Sequence, residues 1–135
     1  MPPISGSRPF AAQWTLRLGL GLMATLAGVD KFFNLLTDWT MYLSPMAASL
    51  LPFSPAAFMR IVGIVELGAG VIVLAGWTRL GGYVVCAWLL AVAANLVATG
   101  LFYDLAVRDV VLAMSAFALA ELSPAPVAGA ARRAA

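Results

Sequence analysis

A chain of 135 residues that is 63% hydrophobic and only 10% charged, with mean hydropathy +0.97, cannot hide its apolar surface in a water-soluble fold of this size, so its class is membrane protein. The absence of His and the single Cys86 exclude His-ligated haem, copper and zinc, a His base, CxxC redox chemistry, an internal disulfide and cysteine-held Fe–S or zinc sites. A net charge of +2, from 8 basic and 6 acidic residues, is too small and too dispersed for nucleic-acid binding.

Hydropathy and punctuation predict four membrane-spanning helices, because about 20 apolar residues are needed to cross the hydrocarbon. The first covers residues 10–35, with Pro9 suited to a first helical turn. Arg17 interrupts its apolar run and no clean A-x-A site follows, so the span reads as retained rather than as a cleaved signal. The second covers 55–75, with Ser54 as N-cap, Pro55 as first helical residue and Gly76 as stop. The third covers 79–99, between a Thr78 cap and Gly100. The fourth covers 105–122, with Asp104 as cap and Ser123-Pro124 ending it. The first loop is the long one. It holds Trp39, Tyr42 and Phe53, and Ser44-Pro45 opens a short helix over 46–51. We read this loop as a cap at the membrane interface, the depth Trp and Tyr favour. The other two loops are a few residues each, which makes their flanking spans antiparallel neighbours. The expected architecture is an all-α, up-down antiparallel four-helix bundle, with Pro/Ala/Gly-rich tails over 1–9 and 123–135. Arg8, Arg79, Arg132 and Arg133 fall on the side of both termini, while the opposite loops carry Asp38 and Asp104. By the positive-inside rule both termini face the cytoplasm, and the first and third loops face outward.

Intramembrane charge is costly and normally turns toward the bundle. On span 1 the spacing of one helix face collects Arg17, Gly21, Ala24, Gly28 and Lys31. On span 2 it collects Gly63, Glu66 and Gly70, with Arg60 one turn above. On span 3 it collects Gly81, Val85, Trp88, Val92, Asn95 and Thr99. The glycine rows predict that spans 1 and 2 pack closely. Glu66 lies near the midplane, and an Arg17–Glu66 ion pair is the simplest way to avoid a lone buried charge. Asp30, Lys31, Arg60, Asn95, Asp104, Arg108 and Asp109 share an outer level. They read either as snorkelling and ion pairing that hold the bundle closed, or as a pocket for a quinone ring or lipid head group. In that second reading Lys31, Arg60, Asn95 and Arg108 hold the ligand and Glu66 handles a proton. Trp14, Trp39 and Trp77 read as interfacial anchors, Trp88 as mid-span, Met23, Met59 and Met114 as packing, and Cys86 as a small hydrophobe.

Four pieces occur in order: Leu16-Arg17 with Gly28 and Lys31, Val62-Gly63-Ile64-Val65-Glu66-Leu67 with Gly70, the turn Gly76-Trp77-Thr78-Arg79-Leu80, and Phe102-Tyr103-Asp104-Leu105-Ala106-Val107-Arg108-Asp109. By these pieces the chain resembles the DoxX-like family of small bacterial membrane proteins. It implies a four-helix bundle in the bacterial inner membrane. It also implies an association with quinone-linked or thiol redox enzymes, or a supporting role in a membrane complex. The chain departs from cysteine-pair members of the family, having only Cys86. The expectation is therefore an accessory subunit of a respiratory or redox complex, packed against other integral membrane subunits, without catalytic residues, metal or intrinsic cofactor. The alternative is a quinone- or lipid-binding oxidoreductase component. A transporter is the weakest reading, since there is no span break or inverted repeat.

Overall fold

The computed structural model describes residues 7–124. Among these, every regular element is helical: α1 (Ser7–Asp30), a 3-10 turn (Trp39–Tyr42), α2 (Pro45–Leu50), α3 (Pro55–Ala75), α4 (Thr78–Thr99) and α5 (Tyr103–Leu122). Helices α3 and α4 are long and apolar enough to cross a membrane. Helices α1 and α5, of 24 and 20 residues, are of similar length but carry more charge. The expected tails lie mostly outside the described residues, although Ser7 to Pro9 already belong to α1.

The helix ends follow from local chemistry. Ser54 caps α3 by accepting from Ala57 N, with Pro55 at the first position, and Ser44 caps α2 by accepting from Ala47 N. Both prolines fill positions whose N–H would have no helical partner. Gly76 (φ 118°) and Gly100 (φ 73°) end α3 and α4 in the left-handed region, where a Cβ would be strained. Two expected caps are corrected. The cap position of α4 is Trp77, and the Thr78 hydroxyl donates instead to the Val73 carbonyl at 3.0 Å. The cap position of α5 is Phe102, and Asp104 sits in the first turn, where its charge still favours the helix dipole. Helix α1 also stops five residues before the expected end at 35. The Asp30 carboxylate accepts Leu35 N at 2.9 Å and Leu36 N at 3.0 Å, which folds the chain back with Asn34 at φ 52°.

Helix α1 lies along α3 through the glycine rows. A Cβ built on Gly28 would stand 2.7 Å from both the Gly63 carbonyl oxygen and Leu67 N, and one on Gly63 would stand 2.7 Å from the Gly28 carbonyl oxygen. Gly21 faces Val73 and Leu74, so residue numbers rise along α1 as they fall along α3. Backbones this close gain dispersion contact that needs no help from water. Gly81 lies against Val73 on α3, and Gly82 against Ala116 and Ala120 on α5. The main core gathers Leu20, Val73, Leu89 and Leu119 around small residues. A second cluster of Ala93, Leu96 and Ala106 packs under Tyr42 and Phe102. The rings of these two aromatics meet edge-on at 4.9 Å, which seats the first loop on the ends of α4 and α5.

Candidate functional site

The most polar buried spot lies under that loop. Lys31, the first residue past α1, is 6% exposed. Its Nζ donates to Glu66 Oε2 at 2.5 Å. The other carboxylate oxygen, Oε1, accepts from the Trp88 indole N–H at 3.1 Å. The Lys31 ammonium also stands 3.7 Å from the centre of the Trp39 ring, on the electron-rich face that attracts a cation. One charge pair therefore joins α1, α3, α4 and the first loop. A buried pair of this kind is tolerated only when both groups have full hydrogen-bond partners. Among the described residues no buried side-chain nitrogen or oxygen lacks one.

The loop is strapped over this pair at two points. The Trp39 indole N–H donates to Asp30 Oδ2 at 2.9 Å, so the residue that stops α1 also sets the ring over Lys31. Further along, Asn95 on α4 accepts from Ser44 N at 3.0 Å and donates to the Tyr42 carbonyl at 2.6 Å. This amide satisfies the backbone of the loop on both sides of Leu43.

Of the five residues expected to form a ligand pocket, the structure brings Lys31 and Glu66 into contact, and Asn95 serves the loop. Arg60 is exposed on α3. Arg108, whose side chain is 60% exposed, reaches only its neighbour Asp109, itself buried on α5, at 3.2 Å. None of the five lines the groove between α4 and α5 or the groove beside Arg17.

The expected Arg17–Glu66 pair is a correction. Arg17 Nε donates to the Val73 carbonyl at 3.1 Å and Nη2 to the Leu74 carbonyl at 2.7 Å. The cause is register. Gly28 meets Gly63 and Leu67, which brings Lys31 level with Glu66. Gly21 meets Val73 and Leu74, which sets Arg17 at the very end of α3. Eight residues separate Leu74 from Glu66, roughly 12 Å at 1.5 Å per residue.

Three contributors were not singled out by sequence reasoning. The sequence reads Trp39 as an anchor, Trp88 as a mid-span residue, and Asp30 as one of a charge cluster. A usable signal existed for Trp88, which lies on the same α4 stripe as Asn95. For Trp39 and Asp30 the signal is tertiary, since it depends on a turn made after Asp30. Chemically, the arrangement is a neutral, hydrogen-bonded clamp with no free nucleophile. Among the described residues no cluster of His, Cys, Asp or Glu could hold a metal ion.

No family model, curated protein or solved structure matches this chain.

Proposed function

We propose that the chain is a DoxX-like, four-span antiparallel bundle of a bacterial inner membrane with both termini cytoplasmic. In this reading it serves as an accessory subunit that packs against other integral membrane proteins of a respiratory or redox complex. The membrane reading draws on two apolar helices of spanning length and on wide outward display of Leu, Val and Phe from α1, α4 and α5. The antiparallel reading draws on the opposed numbering across the α1–α3 contact. The redox association comes from the family resemblance.

The observation that carries the accessory role is the closed polar cluster. Lys31 and Glu66 satisfy each other and Trp39 covers them, so this charge pair is spent on holding helices together. Outside, Cys86, Leu90, Val110, Ala113, Met114 and Phe117 line an almost wholly apolar groove of about 290 Å³ between α4 and α5. Its floor is small and its rims are large, a shape that admits side chains of another helix. A quinone in the outer half would have to displace Trp39 or the Lys31–Glu66 bond, so that alternative stands second.

Cys86, the chain's one cysteine, is half-buried in this groove and offers the test. Crosslinking from Cys86 in native membranes with a maleimide–benzophenone reagent, whose second end inserts photochemically into neighbouring C–H bonds, followed by mild-detergent purification, should yield one membrane partner at fixed ratio, lost in Cys86→Ser. A crosslink-free monomer that purifies alone would overturn the accessory role.

A further inference from the structure

We infer that the groove beside Arg17 is a binding site for the phosphate of an anionic phospholipid in the leaflet at the Gly76 end, an inference that rests on the membrane-spanning reading above. This groove, of about 330 Å³, lies between the first turns of α1, the α3–α4 turn and the end of α5. Phe10, Gln13, Trp14, Arg17, Thr78 and Leu122 are among its walls. Among the described residues Arg17 is its only charged wall. All six acidic side chains of the chain, Asp30, Asp38, Glu66, Asp104, Asp109 and Glu121, lie within the described residues, and none forms an ion pair with Arg17.

The guanidinium is met by two neutral carbonyls and by the Trp14 ring, 4.4 Å from its centre. The carbonyls at the end of α3 supply a partial negative charge of about half a unit, which leaves net positive charge facing the groove. Guanidinium has five N–H donors; two are used, and the others fit the oxygens of a phosphate. Gln13 and Thr78 are already committed, to Ser123 Oγ and to the Val73 carbonyl. The wall thus offers a cation and apolar rings, the pairing that suits a lipid head group with its acyl chains. Arg17 stands level with the last turn of α3, which on the membrane-spanning reading is where head groups meet hydrocarbon.

The test compares thermal unfolding of the full chain in neutral detergent with added phosphatidylglycerol, phosphatidylcholine or inorganic phosphate. Phosphatidylglycerol should raise the Tm of the wild type well above the other two additions. Arg17→Gln should lose that shift, with affinity about fivefold weaker or more. Arg17→Lys, which keeps the charge, should retain part of it, and Arg108→Gln at the other end should retain all of it. Equal stabilisation by phosphatidylcholine, an equal shift with inorganic phosphate, or a full shift in Arg17→Gln would each overturn the site. If Arg17→Gln does not fold, the three additions to wild type and the Lys variant still decide. Retention of wild type in phosphatidylcholine vesicles after alkaline washing separates the two claims: loss there breaks the membrane reading, whereas retention without lipid preference breaks only the site.

Discussion

Arg17 on α1 and Lys31 just past its end fall in one line by helical spacing, yet the chain uses them in opposite ways. Lys31 is enclosed, paired with a carboxylate and covered by an indole ring. Arg17 is half-open and meets backbone carbonyls, the Trp14 ring and the edge of a groove. The difference follows from where each falls along α3, not from the kind of charge. The Gly28–Gly63 crossing brings Lys31 level with a carboxylate in mid-helix, and two turns away the partner helix has only its terminus to offer. A cationic stripe along one helix is thus not one functional unit. Its members take their roles from the register of the neighbouring helix.

That contrast can be broken from either end. The largest effect is expected at Glu66. Glu66→Ala leaves Lys31 buried without a counter-charge and should cost about 3–5 kcal/mol in detergent unfolding. Glu66→Gln, which keeps a hydrogen-bond acceptor, should cost less, yet well more than Asp38→Asn. Asp38 is exposed and bonds only Thr40, so its change should stay within about 0.5 kcal/mol. If Glu66→Gln and Asp38→Asn are equally harmless, the internal pair is not what stabilises the bundle.

The register itself is tested at Gly28. A methyl there meets backbone of α3 on two sides and cannot be relieved by a rotamer change. Gly28→Ala should cost about 1–3 kcal/mol through forced separation of α1 and α3. Gly19 on the same helix has open space where its Cβ would go, so Gly19→Ala should be neutral or stabilising, because alanine is the better helix former. Equal effects at the two positions would mean that the close crossing is absent.

A smaller loss is expected at the cover. Trp39→Leu removes the ring over Lys31 and the N–H bonded to Asp30, and should cost about 1–2 kcal/mol. It should also speed proteolysis between Asn34 and Ser54, which would separate loss of the strap from general destabilisation. Asn95→Ala should weaken the same loop by about 1 kcal/mol with the Lys31–Glu66 pair intact. A loop no more protease-sensitive in either variant would show that the straps do not hold it.

Much of this was legible in the sequence. Ser54-Pro55 and Gly76 delimit α3 by local rules that hold in any surroundings, and Gly21/Gly28 with Gly63/Gly70 announced the α1–α3 contact. Ser44-Pro45 marked α2, which runs Pro45–Leu50. The partner of Glu66 was not legible. Helical spacing places Arg17 and Lys31 on one face, but it does not say which of them is level with Glu66. That depends on an offset between two helices, set by glycine contacts whose pairing is tertiary. The end of α1 was missed for a related reason. The apolar run continues through Phe32, Phe33, Leu35 and Leu36, and it was a carboxylate binding backbone five and six residues ahead that broke the helix. Trp39 followed from that turn and carried no local mark of its role.

The account depends most on the Lys31–Glu66 bond as a buried link between α1 and α3, and a double-mutant cycle in detergent measures it directly. Lys31→Met, Glu66→Met and the double variant would be compared with wild type by reversible unfolding. Each single change should be costly, and the double change should cost less than their sum by about 2 kcal/mol or more, because it removes both charges together. Strictly additive losses would show that the two groups do not meet, and the sealed polar cluster would then have to be abandoned.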